Sequence, residues 1–221
     1  MIGGLLFDFD GLLVDTEGAR FDAWRHVYAE HGHEFELDRW TENVGTLGDP
    51  FDPAVRLAEL TGLPLDRDEV HDRRRARELE LVDAEELRDG VAALLDEAER
   101  RGIAVAIVSS ASERWVLGHL GRLGLEQVWR TIVCANGDLD RAKPAPQLYL
   151  EALEALGLRP DEAIAFEDSL HGVRAAKAAG IFTVAVPNVV TAGLALDEAD
   201  LVVDSLADVT LDDLLLLAEA A

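Results

Sequence analysis

The chain has 221 residues, a formal net charge of −24 from 44 acidic and 20 basic residues, and 49% apolar residues. The length supports one well-buried core, or a core with a small second unit, and the charge opposes nucleic acid and anionic membranes as partners at long range. No apolar run approaches the ~18 residues of a membrane span. There is no basic leader before the first apolar run, and Cys134, the single cysteine, forms no internal disulfide. The expectation is a cytoplasmic globular protein.

Taken in order, the first apolar run covers residues 2–7 and ends in Asp8-Phe9-Asp10-Gly11. Strand residues two apart point to one face, so Asp8 and Asp10 converge where such a strand ends. Gly11 lets the chain turn there without a Cβ penalty. Residues 15–31 read as a helix, with Ala19, Trp24, Val27 and Tyr28 available for one face. Residues 51–60, 66–82 and 85–101 read as helices too. The last of these leads into a second strand-like run at 103–108. Residues 15–86 are therefore expected to form an inserted α-helical cap domain, and residues 1–14 and 87–221 a core.

Further strand-like runs follow at 131–133, 163–166, 181–186 and 201–203. They alternate with helical stretches at 112–123, 146–156 and 170–179, and a last helix is expected at 206–218. Short apolar strands alternating with amphipathic helices predict an α/β fold, a doubly wound (Rossmann-like) parallel sheet. An insertion after the first strand would lie over the crevice where such sheets bind ligands.

The strong polar groups fall just past the strand ends: Asp8 and Asp10, Ser109-Ser110-Ala111-Ser112, Arg141-Ala142-Lys143-Pro144, and Glu167-Asp168-Ser169. Clustered carboxylates repel one another and raise their own pKa values. A hard divalent cation resolves that conflict, and oxygen donors without a His or Cys cluster suit Mg²⁺. A hydroxyl and an ammonium on neighbouring strands supply what an oxyanion needs. Each group also has a structural reading. Ser110, Glu167 or Asp168 would serve as helix caps. Lys143 and Lys177, the only lysines, would be solvated; for Lys177 that is the better reading.

The stretches LLFDFDGLLVDTE, AIVSSASER, AKPAPQLYL and AFEDSLHGVRAAKAAG together resemble the haloacid dehalogenase (HAD) superfamily, in its branch of sugar-phosphate phosphatases and β-phosphoglucomutases. The resemblance implies a Mg²⁺-dependent phosphatase acting on a small phosphorylated metabolite, a sugar or polyol phosphate, through an aspartyl phosphate. It implies Asp8 as nucleophile, Asp10 as general acid and then base, and Lys143 as the charge that steadies the transfer. Ser110 would bind phosphate, with Ser109 as the neighbouring alternative and Ala111 beside it. Glu167 and Asp168 would hold the metal with Asp8 and the main-chain carbonyl of Asp10. Thr16, Glu17 and Arg20 would face the substrate, or else water.

The β-phosphoglucomutases of the branch carry a His where Arg20 stands, and a cap Arg after a Gly-x-Ser turn. The corresponding Gly45-Thr46-Leu47-Gly48-Asp49 has no basic residue, which favours hydrolysis over a mutase. Arg20 or the run Arg73, Arg74 and Arg75 would have to compensate, and that run reads better as a solvated face. Asp10 and the Glu167-Asp168 pair argue against dehalogenase chemistry, and a cap without lysine argues against a phosphonatase. A receiver-like signalling domain or a non-catalytic binding relative are the remaining readings. No nucleic-acid or membrane partner is expected, and the expected state is a monomer or weak dimer.

Overall fold

The computed structural model describes residues 1–40 and 51–221. Among them, six strands form one sheet: β1 (Gly4–Phe7), β2 (Ala104–Ser109), β3 (Thr131–Cys134), β4 (Ala163–Glu167), β5 (Phe182–Ala185) and β6 (Leu201–Val202). All neighbours pair in parallel, in the order β3-β2-β1-β4-β5-β6. The chain winds outward from β1 through β2 to β3, then returns to β4 on the other side of β1. The winding reverses between β1 and β4, so the ligand crevice of this topology opens beyond their C-terminal ends.

The strands are apolar throughout because both sheet faces are covered. Leu5, Phe7, Ile107, Ile164 and Phe166 join one buried cluster, with residues of α5 (Val91–Arg101), α6 (Glu113–Leu123) and α9 (Leu211–Ala220). Leu6, Ala106, Val108, Ala163 and Ala165 join the other, against α7 (Gln147–Leu156) and α8 (Leu170–Ala178). Leu5, Leu6 and Phe7 have no exposed surface. Each such burial contributes roughly 1.5–3 kcal/mol. The central strand that delivers Asp8 is thus firmly held.

Between β1 and α5 lie α1 (Thr16–Glu30), α2 (Leu37–Trp40), α3 (Pro53–Thr61) and α4 (Arg67–Ala84). Trp24, Val27, Tyr28, Phe35, Trp40, Leu57 and Val70 of this segment share a buried cluster with Val190 from beyond β5, while Ala19 and Val82 join the cluster on the sheet. The Tyr28 hydroxyl donates to Pro53 O at 2.7 Å and ties α1 to α3. Asp15 caps α1 through Gly18 N, and Asp66 caps α4 through Asp68 N and Glu69 N. The two connections to the sheet meet where Arg88 N donates to Leu13 O at 2.9 Å. The turn expected at residues 45–49 lies outside the described residues.

Two expectations are corrected. The helix expected over 85–101 starts only at Val91. Gly90 has φ +86°, and a Cβ there would lie 2.2 Å from the main chain of Leu206 and Ala207. That close approach breaks the helix before α5. The last helix starts at Leu211 rather than 206: Leu206–Asp208 is a 3-10 turn, and Thr210 caps α9 reciprocally with Asp213. The four-residue α2 carried no readable signal. No helix among the described residues is long and apolar enough to cross a membrane.

Candidate active site

Asp8 follows β1 directly, and its N–H donates to Phe166 O at 3.0 Å, which extends the β1–β4 ladder by one residue. Asp8 is 6% exposed. The Lys143 ammonium donates to Asp8 Oδ1 and lies 2.7 Å from Glu167 Oε1. The same Glu167 oxygen accepts from the Tyr149 hydroxyl, and the ammonium sits 5.5 Å from the Tyr149 ring centroid. Lys143 is therefore not a solvated loop residue. It is 6% exposed, between two carboxylates and over an aromatic face.

Asp8, Glu167 and Asp168 offer one carboxylate oxygen each, all within 4.8 Å of one another. Burial pushes the Asp8 carboxyl up to about 8; Lys143 opposes that rise, and Glu167 and Asp10 add to it. Asp168 is raised well above the usual range, first by burial and then by Asp8 and Glu167. Burial alone would lower Lys143, but Asp8 and Glu167 outweigh it and raise the ammonium's pKa. One ammonium is too little positive charge for this many buried acids. Glu167 Oε2 is buried without a hydrogen-bond partner. An all-oxygen donor set with an orphaned carboxylate oxygen fits a hard divalent cation such as Mg²⁺.

The structure decides between site and cap for several residues. Ser169, not Glu167 or Asp168, caps α8 by accepting from Gly172 N. Ser112, not Ser110, caps α6 by accepting from Trp115 N. Ser110 Oγ instead accepts from Lys143 N at 3.2 Å, which ties the ends of β2 and the β3 loop together. Ser109 is buried and its hydroxyl accepts from Ala111 N at 3.0 Å, so Ala111 closes a local turn.

Asp10 stands apart from the carboxylate cluster. Its Oδ1 accepts from the Thr16 hydroxyl at 2.9 Å and from the Trp115 indole at 2.8 Å. The side chain faces a cavity of about 330 Å³ between the sheet's C-terminal edge and the helices α1 and α4, whose walls include Arg20, Trp24, Trp40, Arg74, Ala111 and Trp115. Arg20 lines this cavity, whereas Thr16 and Glu17 are not among its lining residues. Thr16 spends its hydroxyl on Asp10. Glu17 is buried and bonds Arg20 at 3.0 Å, and burial raises its carboxyl pKa despite that partner. Arg20 Nε also donates to Glu78 at 2.7 Å. The run of three arginines is split. Arg73 pairs with Glu30 at 2.7 Å, while Arg74 is half-buried, bonds Glu78 and lies 5.6 Å over Trp24. It is not a uniformly solvated face.

Four supporting residues were not foreseen. Asn188 Nδ2 donates to Asp168 Oδ2 at 2.7 Å and to Gly11 O at 3.2 Å. Arg88 donates to the carbonyls of Gly11, Val186 and Pro187 at 2.6, 3.1 and 2.7 Å, which pins the loops after β1 and β5. Tyr149 and Trp115 complete the set. Gly11 has φ +78°, and a Cβ there would lie 2.2 Å from Asp168 Oδ2. The glycine is needed for space as well as for its turn.

Residues 5–186 match the family described as haloacid dehalogenase-like hydrolase. The chain is 39% identical to YhcW of Bacillus subtilis over 211 residues, covering 96% of this chain and 95% of that one. It is 33% identical to the phosphorylated carbohydrates phosphatase of Thermotoga maritima, over 80% and 81% of the two chains. The crystal structure of CbbY from Rhodobacter sphaeroides in complex with phosphate superposes with a TM-score of 0.71 at 30% identity, covering 94% of this chain and 96% of that one. A variant of that protein was solved with xylulose 1,5-bisphosphate.

Proposed function

This chain belongs to the haloacid dehalogenase-like hydrolase family, among its phosphatases, and we propose that it hydrolyses a sugar or polyol phosphate through an aspartyl phosphate on Asp8. The observation that carries the reading is Lys143, buried between Asp8 and Glu167 at the reversal point of the sheet. There it holds a carboxylate in reach of the crevice and supplies positive charge for an incoming phosphate.

In this reading an Asp8 oxygen bonds phosphorus as the ester oxygen leaves, and Asp10 gives that oxygen its proton. A water then bonds phosphorus, the Asp8–phosphorus bond breaks, and Asp10 takes the water's proton. Ser110 and Lys143 hold phosphate oxygens. Asp8, Glu167, Asp168 and the Asp10 carbonyl would hold Mg²⁺, which when bound supplies the charge neutralisation that lets a carboxylate approach a phosphate. Residues 15–86 act as a cap that excludes bulk water, and residues 1–14 and 87–221 form the core; the apolar cluster of α1–α4, to which the core adds Val190, supports that division.

Hydrolysis is preferred over mutase chemistry because Arg20 and Arg74, two of the three arginines lining the cavity with Arg75, both bond Glu78, and Arg20 also pairs with Glu17. Their charge is largely offset, so they make a weak grip for a second phosphate. ³¹P NMR with Mg²⁺ and a panel of sugar and polyol phosphates, including β-glucose 1-phosphate, tests this. Free phosphate growing from one ester supports the proposal. Conversion of the 1-phosphate to the 6-phosphate would make the protein a mutase, and no reaction with any ester would overturn the assignment.

A further inference from the structure

We propose that Trp115 is a positioning residue for Asp10: its indole N–H fixes Oδ1 and leaves Oδ2 as the oxygen that exchanges a proton with the substrate. The proposal rests on the acid–base role given to Asp10 above. Two donors from distant parts of the chain converge on one carboxylate oxygen, Thr16 Oγ1 at 2.9 Å and Trp115 Nε1 at 2.8 Å. Among the described residues no hydrogen bond is made to Oδ2.

The indole is itself fixed. Trp115 lies in the first turn of α6, where its main-chain N–H donates to Ser112 O at 3.0 Å and to Ser112 Oγ at 3.3 Å. One turn on, the buried His119 packs against its ring with centroids 4.3 Å apart and planes at 73°. His119 in turn stands 6.1 Å from the ring of Phe9, the residue between the two aspartates. The donor therefore has a defined place relative to the strand that carries Asp10.

The chemistry of the donor matters as much as its place. A hydroxyl such as that of Thr16 donates or accepts, and its hydrogen rotates. An indole N–H only donates and does not titrate in water, so it never competes for the proton that Asp10 moves. It distinguishes the two carboxylate oxygens. Oδ1 is held, and the Asp10 side chain lines the same cavity as Trp115.

The test exploits the fact that only poor leaving groups need an acid. Trp115→Phe keeps an aromatic ring beside His119 and removes the N–H. For the alkyl ester found active in the phosphate panel, the first-turnover rate of alcohol release should fall about tenfold or more, as expected for losing a hydrogen bond to a charged group. For 4-nitrophenyl phosphate, whose leaving group needs no proton, the first-turnover release of 4-nitrophenol, which precedes the hydrolysis step common to both esters, should stay within about twofold. KM should change little for either. Adding Trp115→Phe to Asp10→Asn should cost the alkyl ester nothing more, because the group being positioned is already gone.

Equal losses in first-turnover leaving-group release from both esters, or full additivity with Asp10→Asn, would show that Trp115 only packs and would overturn the proposal. Should Trp115→Phe fold poorly, benzothienylalanine at position 115 preserves the bicyclic shape without an N–H, and the same pair of outcomes applies. An Asp10→Asn variant that slows first-turnover release of both leaving groups equally would instead overturn the acid role of Asp10. The failure of that reading is thus distinguishable from the failure of this one.

Discussion

Asn188 Nδ2 donates to Asp168 Oδ2 at 2.7 Å, and the residue is held by its own loop, since Val190 N and Thr191 N donate to Asn188 Oδ1 at 2.9 and 3.1 Å. Asp168 thus has a fixed oxygen on one side and an open one towards the carboxylate cluster. Asn188→Ala should cost about 1.5–3 kcal/mol of stability, the range for a hydrogen bond to a charged group. It should also weaken Mg²⁺ activation about tenfold, as loss of an outer-shell partner does. Urea unfolding and a Mg²⁺ titration of activity check the two effects.

Gly11→Ala tests the crowding under the loop that follows Asp8. The added methyl meets Asp168 Oδ2 and Asn188 Nδ2 at 2.2 and 2.7 Å, on a backbone with φ +78°. Strain at the turn alone should cost about 1–3 kcal/mol. Activity should fall further than stability predicts, because Asp168 must move. Thermal unfolding with parallel assays of the folded fraction separates the two; unchanged turnover by the folded protein would contradict the expected placement of Asp168.

The pH dependence follows from the buried acids. Asp8 sits at about 8 against an ordinary 3.8, and Asp168 is also raised. A carboxyl raised in the folded state binds its proton more tightly than in the unfolded chain. Its contribution to stability is complete below about pH 4 and is lost as pH rises through about 8. The metal-free protein should therefore lose Tm between pH 5 and 8, and Asp8→Asn should flatten that slope. Mg²⁺ must displace those protons, so it should raise Tm more at pH 8 than at pH 5. Scanning fluorimetry with chelator and with Mg²⁺ reads both; an equal Mg²⁺ effect at the two pH values would count against the site.

Much of the core site was legible in the sequence because its residues sit at strand ends, where local pattern and topology coincide. Asp8, Lys143, Glu167 and Asp168 converge as their positions implied. The supporting residues were not legible because each acts across a long separation. Trp115 is 105 residues from Asp10, Arg88 is 77 from Gly11, and Glu78 is 58 from Arg20. No local periodicity encodes such pairs. The misplaced start of α5 has the same origin, since Gly90 breaks the helix against Leu206, a residue far along the chain.

Glu78 offers a test of the cavity's charge. It bonds both Arg20 and Arg74 and is 5% exposed. Glu78→Gln keeps the shape and releases positive charge towards the cavity. The variant should lose about 1–3 kcal/mol of stability, discounted from the fully buried range because both arginines are partly exposed. Its kcat/KM for fructose 1,6-bisphosphate relative to fructose 6-phosphate should rise about fivefold, the effect of roughly 1 kcal/mol from one newly unbalanced charge. An unchanged ratio would place the second phosphate away from this arginine pair.

The most direct measurement is rapid acid quench of the protein reacting with an active phosphate ester and Mg²⁺, followed by mass spectrometry of its peptides. The account predicts one phosphoryl group on the peptide carrying Asp8 during turnover, and neither label nor turnover in Asp8→Asn. Sustained phosphate release by Asp8→Asn, or turnover with the label on another residue, would contradict it.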